Sequence, residues 1–458
     1  MGGALSTALF ARHALLPQGW RRDVLLEWDA AGDLTRIQED AVPAPGVEVA
    51  QYVLPGMVNL HSHAFQRALG GMTEVAGDGL DSFWTWRELM YRFARHITPE
   101  QMESIAAQLF VECLRHGYTA VCEFHYLQRD AEGALYARPA ETAERVLAAA
   151  HLSGIGMTML PVLYSHAGFG EQPLKPEQAR FCTDADDVLR IIEALAPQRG
   201  GQVEVGFAPH SLRAADVAQI RAVAHALPAG RPIHIHIAEQ QGEVHQCVDY
   251  SGRRPVQYLY DQVDVDARWC LVHATHVQPD EVALMAASGA VAGLCPTTEA
   301  NLGDGLFPLA EFIAAGGRFG VGSDSHVSQS PVEELRWLEY GQRLQRQQRN
   351  VAAAPEQRHV GDYLWQAALQ GGAQASGRKL GALAPGSRAD LLVLDDAHVN
   401  LCGAAIADVL GSFLFCGNDN LVRDVLCGGR WQVRDGRHVA QEAIATAYRR
   451  TLAQLRAL

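Results

Sequence analysis

Lysine is almost missing from this chain: 458 residues contain two, Lys175 and Lys379, and no lysine- or arginine-rich run occurs. With a formal charge of −14 the overall field repels polyanions, which argues against nucleic acid and anionic membrane as partners. Paired thiols are also missing. Nine cysteines (113, 122, 182, 247, 270, 295, 402, 416 and 427) are scattered without a C-x-x-C pair, several of them inside apolar runs. They suit reduced core residues in a cytoplasmic protein better than a disulfide framework or a thiolate zinc site. The zinc signature H-x-E followed by P-C-x-x-C is absent. No apolar run approaches the ~20 residues that span a bilayer. Arg12 and His13 interrupt the apolar stretch 4–16, so no signal peptide is expected, and Met1 to Ser6 matches a myristoylation pattern too short to carry weight.

What is present is an ordinary globular composition, 48% hydrophobic and 20% charged, in a chain long enough for a large domain plus a smaller one. Residues 1–52 look like short strands and turns, and the tail after Lys379 has the same texture. This predicts one small β-domain, a scaffold, built from 1–52 and 380–458. Between them, apolar runs at 53–60, 119–127, 156–165, 203–211, 232–239, 269–276, 290–297 and 318–325 alternate with helical spacers. Eight such near-continuously apolar runs are what a closed parallel (β/α)8 TIM-like barrel requires over 53–379. The spacers agree: Thr98 followed by Pro99 opens a helix, and 140–151 is rich in alanine and glutamate.

The first run ends in His61-Ser-His63. Side chains alternate along a strand, so both imidazoles project to one face and can reach one metal ion. Later runs end in His236 and Glu239, His273, and Asp324. In such barrels chemistry sits at the carboxyl ends of strands, where all these groups lie. Three imidazoles (His61, His63, His236) and the Asp324 carboxylate suit one Zn²⁺ per subunit, with iron or another divalent ion equally compatible with the donors. Neither lysine ends a strand, which disfavours a second metal bridged by a carboxylated lysine. His234 alternates with His236 one layer deeper and is taken as a core residue. Glu239 is placed to take a proton from an activated water and hand it to a leaving nitrogen. His273 would polarise the attacked group or hold the attacking oxygen, and Asp324 could both ligate and accept a proton.

The H-S-H after a Pro-Gly turn, the H-I-A-E, the sixth-strand histidine and the eighth-strand S-D resemble the amidohydrolase superfamily, specifically its mononuclear deaminase branch with a terminal β-sandwich. The segments 61–71, 83–87 and 207–213 narrow the resemblance within that branch. It implies a cytoplasmic homodimer that converts N-formimino-L-glutamate, a small acidic substrate, to N-formyl-L-glutamate and ammonia. Two carboxylates and a formamidinium require cations at one end of the pocket and a proton acceptor at the other. Arg87 and Arg213 meet the first need, since a guanidinium binds a carboxylate through two parallel hydrogen bonds. Gln66 and Tyr126 can add neutral hydrogen bonds, and the resemblance implies that His210 points at the substrate. The chain departs from the branch's P-x-S-N motif after the seventh strand, reading Pro296-Thr-Thr-Glu299. Two alternatives stay open: a deaminase of guanine or another heterocycle, and a non-catalytic scaffold relative.

Overall fold

The computed structural model describes residues 7–76 and 83–457; the Met1–Ser6 pattern and the side chain of Trp84 lie outside them. Eight parallel strands form a ring. Met57–Ser62, Tyr118–His125, Gly156–Leu163 and the two short pieces Val203–Val205 and Ala208–Pro209 make one arc. Ile233–Ile237, Trp269–His273, Val291–Leu294 and Arg318–Val321 make the other. Single bridges join the arcs, Phe207 to Ile233 and Ser211 to His236 on one side, Ser62 to Asp324 on the other. The strands are buried along almost their whole length, as expected of a parallel sheet covered by helices.

The helix predicted at Thr98 runs Pro99–His116 and shows why it starts and stops there. Thr98 Oγ1 accepts the Gln101 N–H at 3.2 Å, and Gln101 Oε1 accepts the Thr98 N–H at 3.0 Å. The first orphan donors are thus satisfied reciprocally. Gly117 ends it at φ 103°, a conformation costly for a residue with a Cβ.

The run 53–60, expected as one strand, is two. Val53–Pro55 pair with Leu391–Val393, whereas Met57 pairs with Tyr118 in the barrel. Gly56 is the junction, and a Cβ there would lie 2.3 Å from the Thr119 side chain. Both chain ends join one eight-stranded sheet. Its order is Arg437–His438, Arg430–Arg434, Val422–Cys427, Leu391–Leu394, Glu48–Pro55, Ala8–Leu16, Gly19–Trp28, Leu34–Gln38. It carries a separate apolar cluster that includes Leu9, Leu26, Leu391 and Leu426. The β-texture of the tail concealed two helices, Val409–Phe415 and Gln441–Leu455, the second packed on Pro99–His116.

The helix Val360–Ser376 lies directly on the strand pair that closes the barrel, because Gly371 and Gly372 let backbone meet backbone. A Cβ on Gly371 would stand 1.9 Å from the Phe319 carbonyl oxygen. We expect Gly371→Ala to cost about 1–3 kcal/mol as the helix is pushed outward. A lowered urea midpoint would show it, and an unchanged midpoint would mean that the contact is not limiting.

Candidate active site

The strand ends are bent so that their side chains converge. Ala238, His273, Ala274, Asp324 and His326 all have left-handed backbone, with φ between 44° and 68°. Such strain in non-glycine residues persists only where the surroundings enforce it, and it clusters at functional sites. The bends bring His61, His63, His236 and Asp324 together, one ligand atom of each lying within 4.8 Å of all the others. Asp324 Oδ1 is 3.3 Å from His63 Nε2 and 3.5 Å from His61 Nε2.

The ring nitrogens facing away from the centre show what the cluster fits. His63 Nδ1 is 2.9 Å from the Phe124 carbonyl and His236 Nδ1 is 2.9 Å from the His210 carbonyl. A carbonyl only accepts, so each Nδ1 carries the proton and each Nε2 turns a lone pair inward. Burial foremost, then neighbouring imidazoles, pulls His61 and His236 well below the ordinary histidine range and keeps them neutral. Yet His61 Nε2 and His236 Nε2 stand only 2.9 Å apart. The inward lone pair of His236 is met at that distance either by the N–H of His61 or by a cation shared with His63 and the Asp324 carboxylate. The donor set therefore fits a divalent metal ion.

Glu239 and His273 adjoin the cluster. His273 Nε2 is 3.7 Å from both Glu239 Oε1 and Asp324 Oδ2. Burial raises Glu239 above the ordinary carboxylate range; His273 works against that rise and Asp324 adds to it. For His273 burial opposes protonation, but the carboxylates of Glu239, Glu299 and Asp324 outweigh it and raise its pKa to about 10. His234, one layer deeper, bonds the Ala375 carbonyl at 2.7 Å and is fully buried.

A cavity opens over these groups. Gln66, Arg87, Tyr126, His210 and Arg213 line it together with His63, His236, Glu239, His273 and Asp324; fully buried His61 lies behind. Gln66 Nε2 donates to Tyr126 Oη at 2.9 Å. The His210 ring lies 4.9 Å from that of His236, and after burial Arg213 and Arg87 both help keep it neutral. Both guanidiniums thus act on the same ring, and Arg213 also acts on the carboxyl groups of Glu239 and Glu243.

Sequence reasoning missed several neighbours. Glu299 is one: its Oε1 lies 3.2 Å from His273 Nδ1 and accepts the Cys295 N–H at 2.9 Å. It occupies the last position of the altered P-x-S-N motif, which was the available signal. Buried Glu243, whose Oε2 accepts the Glu239 N–H at 3.2 Å, had none. Tyr91 and Tyr164 also line the cavity.

The sequence model of the amidohydrolase family matches residues 52–432, which is most of the chain. The chain belongs to the amidohydrolase family. A second model, the N-terminal domain of formimidoylglutamate deiminase HutF, matches residues 6–51. Among amidohydrolase relatives, a formimidoylglutamate deiminase of Pseudomonas aeruginosa is 55% identical over 98% of this chain and 99% of its own length. A 5-methylthioadenosine/S-adenosylhomocysteine deaminase of Natronomonas pharaonis is 28% identical over 95% and 91%. The crystal structure of an amidohydrolase from Brucella melitensis superposes with a TM-score of 0.93 at 44% identity, covering 98% of this chain and all of that one. No described helix of this amidohydrolase is long and apolar enough to cross a membrane.

Metal analysis tests the donor set. Asp324→Ala and His63→Ala are each expected to fall from about one ion per chain to a small fraction of that. Stoichiometric metal in both variants would break the assignment.

Proposed function

We propose that this chain hydrolyses N-formimino-L-glutamate to N-formyl-L-glutamate and ammonia, a step of histidine degradation. The observation that carries the reading is the 55% identity, end to end, to a formimidoylglutamate deiminase. The cavity adds a physical reason: a linear substrate with a cationic amidine and two carboxylates matches carboxylates at the strand ends and two arginines lining the same cavity. A Zn²⁺ held by His61, His63, His236 and Asp324 would supply Lewis acidity and lower the pKa of a water to roughly 7.

The chain's own residues do the rest. Arg87 and Arg213 bind carboxylate oxygens, and Gln66, Tyr126 and His210 orient the substrate backbone between them. Glu239 takes a proton from the attacking water and returns it to the terminal nitrogen, and the remaining hydroxyl proton passes to Asp324 as ammonia leaves and the formyl carbonyl forms. Its raised pKa suits a group that must both accept and release a proton near neutrality. His273, held through Nδ1 by Glu299, presents Nε2 beside Glu239 and Asp324, where charge develops on the attacking oxygen. Residues 1–55, with the strands of 380–458, serve in this reading as a β-sandwich scaffold beside a barrel that begins at Met57, in a cytoplasmic homodimer.

A heterocycle deaminase is the rival, because the Natronomonas relative is a 5-methylthioadenosine/S-adenosylhomocysteine deaminase. Ammonia release measured across formimino amino acids of different chain length, with guanine as control, separates the two. Turnover of guanine without turnover of formiminoglutamate would refute our reading. Glu239→Gln should lose about 10²–10⁴-fold in kcat while retaining its metal. Arg213→Met should raise KM at least about tenfold with a smaller change in kcat. Wild-type rates in either variant would remove that residue from the scheme.

A further inference from the structure

Tyr91 and Tyr164 come from separate elements yet meet in the cavity wall beside the arginines. Tyr91 sits four residues after Arg87 in the helix Phe83–Ala94, so both project from one face, and the Arg87 guanidinium lies 5.5 Å from the Tyr91 ring. Tyr164 follows the third barrel strand, its ring 4.7 Å from that of His210. The phenol oxygens are 3.2 Å apart. Behind them buried Gln178 donates to Tyr164 Oη at 2.6 Å and to Tyr91 Oη at 3.4 Å. The amide's orientation is settled independently, because Gln178 Oε1 accepts the Lys175 N–H at 2.9 Å and leaves only Nε2 to face the phenols.

A donor count follows. Both phenol oxygens receive an amide N–H, and the bond between the phenols uses one of their two O–H groups. The second O–H has no acceptor among the described residues, although both tyrosines are buried at 7% and 2% exposure. Burial, reinforced by the adjoining phenol and opposed by Arg213 and Arg87, keeps Tyr164 protonated, so the donor is permanent. A buried hydroxyl donor needs an acceptor, and the open direction is the cavity.

We propose that the Tyr91–Tyr164 pair, oriented by Gln178, is a specificity element that donates its surplus O–H to the side-chain carboxylate of the substrate, beside Arg87 and Arg213. The element rests on the reading of the chain as a formiminoglutamate hydrolase and adds to it. It rewards an anionic acceptor over a neutral one of the same size, because hydrogen bonds to a charged group are the stronger. The two phenols back each other up. Removing one hydroxyl frees the other's O–H, so single variants lose orientation and only the double variant loses the donor.

The test compares kcat/KM for N-formimino-L-glutamate with that for N-formimino-L-glutamine, in which an amide replaces the side-chain carboxylate. The ratio is measured in the wild type, Tyr91→Phe, Tyr164→Phe and the double variant. We expect it to fall about threefold in each single variant and about tenfold in the double. Metal content should stay near wild type in all three variants. Equal losses on both substrates would reduce the pair to wall packing, and an unchanged ratio would overturn the proposal outright. If the double variant does not fold, the two singles decide by the same ratio. Wild-type protein inactive on formiminoglutamate would fell the functional reading and the proposal together, whereas wild-type activity with an unchanged ratio fells only the proposal.

Discussion

The contact on which the site depends is the return of the eighth barrel strand onto the first. The Asp324 N–H donates to the His61 carbonyl at 3.0 Å, and the His63 N–H donates to the Asp324 carbonyl at 3.3 Å. Three of the four metal-ligand residues are therefore bonded to each other through backbone before any cation is considered. Closing the barrel thus also brings three of the four candidate ligands side by side. A buried polar network reinforces the seam. Asn59 bonds Ser323 through both its amide groups, Ser323 meets His326, His326 meets Ser62, and Ser62 donates to Glu123 at 2.5 Å. Glu123 also accepts the Ala64 N–H at 2.7 Å, so its carboxylate grips the chain on both sides of His63. Fully satisfied networks of this kind specify one geometry, whereas a single unmet partner in them is expensive.

Charge is then distributed against the protein's overall sign. A chain with a net charge of −14 lines one cavity with two guanidiniums as well as the carboxylates of Glu239 and Asp324. Burial strengthens every such interaction because water no longer screens it. It also keeps the ligand imidazoles neutral and pushes Glu239 toward the neutral range, the condition for a proton carrier. The same low-dielectric wall makes a lone phenol O–H matter.

Much of the architecture was legible because its causes are local. Apolar runs with alternating side chains located the eight barrel strands, and the Thr98-Pro99 pair marked a helix start that the reciprocal Thr98–Gln101 bonds explain. The run 53–60 misled for the same reason: periodicity does not say which sheet a strand joins, and only the tight approach of Gly56 to Thr119 divides it. The helix 441–455 was hidden in a tail whose composition suggested strands, since what stabilises it is packing on a barrel helix far away in sequence.

By itself, the sequence picked out the candidate side chains: strand-end histidines, Glu239 and Asp324 are placed by the period of two and by apolar runs ending where they stand. Tertiary structure alone decided their partners. That Glu299 holds His273, that Glu123 straddles His63 and that Tyr91 meets Tyr164 depends on contacts between segments tens of residues apart. Such pairings are set by barrel closure and the packing of loops over its mouth, for which no local pattern in the chain exists.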